Sequence, residues 1–367
     1  MRVLFFSRGL GIGHAARDLA LAQALARESF ECAFFSYESG LKYFQCMQIP
    51  VTDTGFSNTS HAVMGTEELI DSFFEDVTTY SAILQKEEGL ILGDEELFLP
   101  FTCSVLKRPC VFITDWFPNM IKKYKSDALT PMAYAAFDQA DSILVPDFED
   151  QVEIPDVLKE KTLFCGPFFR GDVQTLRKSR KDLRQKYRVD NTFVVVVTVG
   201  GSKLNLPVLE QCVKTHALLS EEEGIKMIIL TGPDISPGEL PEPKADMKQF
   251  VPDFLELAVS ADLVITGAGH STLMELSALG VPCIVIPIAG WVSQEREAAR
   301  VAKADAGIVI PRQEIKPEKL ASKIKELKDN PQRLKELSKN GIKRIPFTDG
   351  AVRAARHVIT YASEVAE

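Results

Sequence analysis

The stretch Val3-Leu4-Phe5-Phe6-Ser7-Arg8-Gly9-Leu10-Gly11-Ile12-Gly13-His14-Ala15-Ala16-Arg17-Asp18-Leu19-Ala20-Leu21-Ala22-Gln23-Ala24-Leu25-Ala26-Arg27 decides the fold class. Val3–Ser7 is a short apolar run and Gly9–His14 a glycine-rich turn. Ala15–Arg27 places Leu19, Ala22, Leu25 and Ala26 at helical spacing. A strand, a loop and a helix follow one another, and the unit recurs. Short buried strands are predicted at Phe30–Tyr37, Leu90–Asp94, Cys110–Thr114 and Ser142–Val145. Gly166-Pro167 marks a turn, a strongly basic helix is predicted over Arg177–Arg188, and the pattern restarts at Phe193–Val197. Behind it come a second glycine turn at Thr198–Lys203, a helix at Leu206–Leu219, strands at Met227–Thr231, Leu263–Thr266 and Cys283–Pro287, and a helix at Thr272–Leu279. Strands that alternate with helices in both halves predict an α/β protein of two doubly wound parallel sheets, facing each other, with ligands outside the carboxyl ends of the strands.

A length of 367 residues suits two domains. The boundaries read as 1–166, 167–350 and a terminal helix over 351–367 that packs back on the first domain. Hydrophobic residues at 46% and charged residues at 25% are ordinary globular values and exclude a disordered or fibrous chain. No apolar run approaches the roughly 20 residues of a membrane-spanning helix, so a cytoplasmic protein is expected. Seven cysteines without a C-x-x-C pair read as buried free thiols rather than metal ligands or disulfides. The net charge of −9 is unevenly placed: residues 1–170 carry 14 Lys+Arg against 25 Asp+Glu, or −11. An acidic half disfavours nucleic acid as a partner.

Three glycine turns carry the chemistry. The first, Gly9–His14, lacks the third glycine of a G-x-G-x-x-G dinucleotide fingerprint. It ends in His14 at a helix start, where the positive helix end disfavours imidazolium and leaves a neutral ring able to accept a proton. A histidine that merely begins the helix is the alternative. The second, Gly200-Gly201-Ser202, is either a phosphate-binding turn or a plain strand-to-helix connection. The third, Thr266-Gly267-Ala268-Gly269-His270-Ser271-Thr272, assembles backbone N–H groups, two hydroxyls and a helix N-terminus about one point, which is a diphosphate cradle. Glu275 lies one turn further, placed either to hold ribose hydroxyls or to face solvent.

These residues, with Phe250-Val251-Pro252-Asp253-Phe254, Ala261–Gly267, Ser271–Leu276, Gly280-Val281-Pro282 and Gln294, resemble the C-terminal domain of MurG-like glycosyltransferases of family 28, which have the GT-B fold. The N-terminal G-I-G-H-A-A-R-D-L-A-L-A is similar to the opening of a related subgroup that includes a pseudaminic-pathway nucleotide-sugar hydrolase. The resemblance implies a nucleoside-diphosphate sugar donor, with UDP favoured, and no cofactor or metal. It assigns Ser202 and His270–Thr272 to the diphosphate, Glu275 to the ribose, the Val251 backbone after Phe250 to the base, Arg170 to the donor and Gln294 to its sugar. Gly13, Gly201 and Gly269 complete that set. Glu295 and Ala298 stand where the family pattern has glutamine and asparagine, so specificity for N-acetylglucosamine is not implied.

The implied reaction is an inverting transfer of a hexose or N-acetylhexosamine to an acceptor hydroxyl, with nucleoside diphosphate leaving. His14, with an unperturbed pKa of about 6.5, is the expected base. Asp115 either orients it or binds the acceptor. No D-x-D sequence of the metal-dependent transferases occurs. The acceptor is a glycan, a lipid-linked sugar or a small molecule. Trp116–Lys125, aromatic and apolar with three lysines, is either an ordinary amphipathic helix on the rim, the favoured reading, or a segment for peripheral contact at the inner membrane face. Two other classes stay open, a nucleotide-sugar hydrolase and a non-catalytic nucleotide-sugar-binding protein.

Overall fold

The computed structural model describes residues 1–57, 64–117, 119, 127–200, 203–219, 224–241 and 246–365. The chain forms two compact units, Met1–Phe169 with Asp349–Glu367, and Arg170–Thr348. The first division falls three residues beyond Gly166, and Asp349 and Gly350 travel with the terminal helix.

In the first unit the strands are β1 (Arg2–Ser7), β2 (Glu31–Ser36), β3 (Val51–Asp53), β4 (Leu90–Asp94), β5 (Cys110–Ile113), β6 (Ser142–Val145) and β7 (Thr162–Phe164). They form one parallel sheet in the order β3-β2-β1-β4-β5-β6-β7. Helices α1 (Gly13–Ala26), α2 (Glu38–Cys46), α3 (Thr66–Leu84), α4 (Leu99–Val105) and α5 (Leu129–Asp138) connect them. β1, β4, β5 and β6 are buried along nearly their whole length, which is why they read as continuous apolar runs rather than alternating ones. Phe6 stacks on Phe35 across the β1–β2 ladder at 4.7 Å, and Phe5 on Phe34 at 5.3 Å.

The second unit repeats the plan. β8 (Phe193–Thr198), β9 (Ile225–Leu230), β10 (Asp246–Lys248), β11 (Leu263–Thr266), β12 (Cys283–Val285) and β13 (Ile308–Val309) run parallel in the order β10-β9-β8-β11-β12-β13. The helices are α6 (Val173–Lys178), α7 (Arg180–Lys186), α8 (Leu206–Leu219), α9 (Phe254–Ser260), α10 (His270–Leu279), α11 (Val292–Lys303), α12 (Pro317–Lys328) and α13 (Pro331–Lys343). Its core gathers Val195, Val197, Ile229, Leu263, Ile265 and Ile284 from the sheet with Leu209, Cys212 and Ile324 from the helices.

Two expectations are corrected here. The basic segment is not one helix over Arg177–Arg188 but α6 and α7, broken at Ser179. Its arginines face the protein: Arg180 and Arg184 donate to the carbonyls of Ala261 and Ser260 and to the Asp262 carboxylate, clamping the turn into β11. All seven cysteines are free and five are buried, but Cys46 is exposed at the end of α2.

Helix α14 (Gly350–Glu364) packs on α1, and the small residues Ala15, Ala16 and Ala20 of α1 and Ala351, Ala354 and Ala355 of α14 are all buried. Its start sits on the Gly166-Pro167 turn so closely that a Cβ on Gly350 would lie 2.3 Å from both carbonyl oxygens. Gly350→Ala therefore forces the terminal helix off the turn. It should cost about 1–3 kcal/mol, read as a lower urea midpoint with an unchanged slope.

Candidate active site

In an open parallel sheet the strand order reverses at one point, and the loops leaving the carboxyl ends there splay apart and open a crevice. In the first unit that point lies between β1 and β4, whose registers pair Ser7 with Asp94. The Gly9–Gly13 turn leaves β1 and delivers His14 and Arg17, one helical turn apart on α1. Asp94 closes β4, and Asp115 follows β5 by two residues.

These four side chains meet. His14 Nδ1 is 2.9 Å from Asp94 Oδ1, and Arg17 Nε donates to Asp94 Oδ2 at 2.5 Å. Arg17 Nη2 donates to Asp94 Oδ1 and lies 3.2 Å from His14 Nδ1, while Nη1 donates to Asp115 at 3.3 Å. Glu95 follows with a left-handed φ of +53°, a conformation a non-glycine residue adopts at a cost. That turn sets Glu95 Oε1 3.5 Å from Arg17 Nη2 and Oε2 3.9 Å from His14 Nε2. Asp94 is wholly buried and Arg17 is 4% exposed, whereas His14 keeps 16% of its side-chain surface. One ring nitrogen thus reaches outward while the other faces a buried charge network.

Burial alone would push the Asp94 carboxyl up, but the Arg17 guanidinium and His14 hold it well below the usual carboxylate range. Asp18, the residue after Arg17 on α1, goes the other way. Burial and the Asp94 charge raise it well above the ordinary value, against a hydrogen bond from the Ser7 hydroxyl. A second buried carboxyl, Glu96, accepts from Tyr80 Oη at 2.7 Å, and burial raises it to about 8 despite that bond and the nearby Arg8 charge.

The switch point of the second unit lies between β8 and β11. Gly267 ends β11 so close to the neighbouring chain that a Cβ there would be 2.8 Å from the Val199 carbonyl oxygen. Gly200 has φ +104°. His270, Ser271 and Thr272 form the first turn of α10, whose cap Gly269 contributes no side-chain hydrogen bond. Glu275 is 2% exposed, not solvated, and takes both ends of Arg170: Nε at 2.7 Å and Nη2 at 2.5 Å. The same guanidinium lies 5.5 Å over the Phe254 ring. Phe250 and Val251 follow β10 at the carboxyl edge of the sheet, where Val251 has no backbone partner among the described residues. Gln294 Oε1 accepts from Ile288 N–H at 3.0 Å, and Glu295 Oε1 from Gly290 N–H at 2.8 Å. Both side chains brace the loop before α11, which leaves the Gln294 amide as its donor.

Thus His14 and Asp115 belong to one network, but the carboxylate on His14 is Asp94, a residue sequence reasoning read only as a strand end. The signal available was its place at the end of a buried strand one ladder from β1. Gly201 and Ser202 lie outside the described residues, as does most of Trp116–Lys125. Of the aromatics counted toward a membrane, Phe117 is fully buried and Trp116 packs edge-on against Phe137 at 5.7 Å. Among the described residues, no helix is long and apolar enough to cross a membrane.

Two parallel Rossmann-like sheets, each with its chemistry-bearing loops at its switch point, define a GT-B protein. The crystal structure of MurG from Acinetobacter baumannii shares this fold, at TM-score 0.59 and 16% identity over 99% of both chains. Residues 194–353 match the glycosyltransferase family 28 C-terminal domain. A UDP-N-acetylglucosamine--N-acetylmuramyl-(pentapeptide) pyrophosphoryl-undecaprenol N-acetylglucosamine transferase of Acetivibrio thermocellus is 26% identical over 96% of each chain. An uncharacterised glycosyltransferase of Methanopyrus kandleri is 29% identical over 53% of this chain, a match that spans 55% of that relative's length. The second unit thus carries the C-terminal domain of glycosyltransferase family 28, and the chain as a whole is similar to MurG-like glycosyltransferases.

The raised Glu96 carboxyl has a consequence for stability. Between the ordinary glutamate range and about 8 the unfolded chain has released this proton and the folded chain has not, so stability falls as pH rises through that window. Glu96→Gln removes the slope. Its melting temperature should match the native protein near pH 5 and exceed it by at least about 2 °C at pH 8.

Proposed function

We propose that the protein is an inverting, metal-independent transferase that moves a hexose or N-acetylhexosamine from a UDP-sugar to an acceptor hydroxyl. The observation that carries this reading is the 2.9 Å contact between His14 Nδ1 and the buried, ionised Asp94 at the switch point of the first unit. A carboxylate only accepts, so it takes the Nδ1 proton and leaves Nε2 with a bare lone pair. Nε2 removes the proton of the acceptor hydroxyl as its oxygen bonds to the anomeric carbon and the bond from that carbon to the diphosphate oxygen breaks. His14 then holds the proton as imidazolium, stabilised by Asp94, and the nucleoside diphosphate departs with the bonding pair.

The second unit supports the donor side. The helix start at His270-Ser271-Thr272, with its two hydroxyls and positive helix end, suits the charge that develops on the leaving diphosphate. Glu275 has further lone pairs beyond those Arg170 uses, suited to the ribose diol, and the unpaired Val251 backbone suits the edge of a uracil. The name of the Acetivibrio thermocellus relative supports UDP as the nucleotide. The acceptor is a glycan or lipid-linked hydroxyl, met at the inner face of the membrane.

A thermal-shift panel of UDP, ADP, GDP and dTDP with their sugars should give the largest stabilisation with UDP and one UDP-sugar. Glu275→Gln should abolish that shift. His14→Ala should keep it while transfer falls by about 10²–10⁴-fold. Preference for another base overturns the UDP assignment. Rapid, stoichiometric sugar release without acceptor would make the protein a hydrolase.

A further inference from the structure

We propose that Arg17, acting through Asp94, is the positioning residue that decides which nitrogen of His14 carries the proton. The inference rests on the reading of His14 as the base. Nδ1 of His14 has two neighbours that ask opposite things of it. Asp94 Oδ1, at 2.9 Å, can only accept, and calls for a proton on Nδ1. Arg17 Nη2, at 3.2 Å, can only donate, and calls for a lone pair there. The second arrangement would put the ring proton on Nε2 and leave no base.

Geometry resolves the contest. Both oxygens of Asp94 are engaged by the Arg17 fork, through Nε and Nη2, and a third donor, Nη1, ties the same guanidinium to Asp115. Of the two contacts at Nδ1, the one to Asp94 Oδ1 at 2.9 Å is shorter than the one to Nη2 at 3.2 Å, and Nη2 makes its own closest contact with that same Asp94 oxygen. Arg17 itself is 4% exposed and Asp94 is wholly buried, so neither is reorganised by solvent. A bidentate pair of this kind fixes orientation as well as charge.

Without the guanidinium, the titratable groups around Asp94 are Asp18 from α1, Glu95 next to it in the chain, His14, and Asp115, which the guanidinium had bridged to Asp94. Three of these are carboxyls, and Asp94 is wholly buried. Burial then acts on Asp94 against His14 alone, and the carboxyl takes up a proton. A protonated Asp94 donates to Nδ1, the ring proton moves to Nε2, and the base is lost. The loss is reversible with pH, because hydroxide restores the Asp94 anion.

The tautomer is directly visible in two-bond ¹H–¹⁵N correlation spectra of the full-length, ¹⁵N-histidine-labelled protein. The five histidines are assigned with His14→Gln. The native protein should show His14 protonated at Nδ1. Arg17→Gln should show it protonated at Nε2 at pH 7 and back at Nδ1 as the pH is raised toward 9. Arg17→Lys, which keeps a cation beside Asp94, should retain the Nδ1 proton. In transfer assays Arg17→Gln should lower kcat at least tenfold at pH 7, move the acidic limb of the kcat profile upward and leave the donor KM unchanged.

An Nε2-protonated His14 in the native protein overturns the proposal with no variant needed. So does an Arg17→Gln protein that folds and keeps both the native tautomer and the native pH profile. Should His14→Ala transfer sugar at the native rate, the reading of His14 as base fails instead, while the tautomer result stands by itself.

Discussion

The ion pair between Arg17 and Asp94 is the constraint on which the first unit depends. A wholly buried carboxylate is tolerable only with a charged partner and filled lone pairs, and Arg17 supplies both. The pair ties α1 to β4 across the point where the strand order reverses, and so fixes where the first glycine turn ends. His14 is held by the same carboxylate. A bond that closes the fold at its crevice also sets the state of the ring that faces out of it.

The second unit uses the same chemistry at its own switch point. Arg170 and Glu275 form a bidentate pair, the carboxylate buried on α10 and the guanidinium lying over Phe254. In both units a carboxylate is held by the fork of an arginine distant in sequence, where a loop of glycines lets backbone and helix end come close. Preorganised charge of this kind costs no reorganisation when a substrate's own charge changes.

The acidity of the first half takes on a different meaning inside the fold. Asp18, Asp76, Asp94, Glu95, Glu96 and Asp115 crowd around Arg8 and Arg17 rather than scatter over the surface. Burial holds Asp18 and Glu96 protonated well above the ordinary carboxyl range. The formal −11 counts every carboxyl as charged. Part of it is cancelled by burial, and another part is neutralised pairwise with arginine.

Local pattern determined the strands, the helices behind them and the glycine turns, because a strand buried on both faces is an apolar run whatever its partners are. His14 and Glu275 were legible because helix starts carry known chemistry at short range, whereas Arg170 was reached only through the family resemblance. The edge strands β3, β10 and β13, two or three residues long, carry too little periodicity to be seen. Asp94 stands 80 residues from His14, and Glu275 stands 105 from Arg170. Nothing in the chain between them says that they touch. Only the parallel register of β1 with β4 sets Asp94 rather than Asp115 against the imidazole, and only the contacts with Arg17 and His14 decide that Asp94 is charged while Asp18, equally buried, is not. A sequence states which groups can ionise. Which of them do depends on the partners and the solvent that tertiary structure gives or withholds.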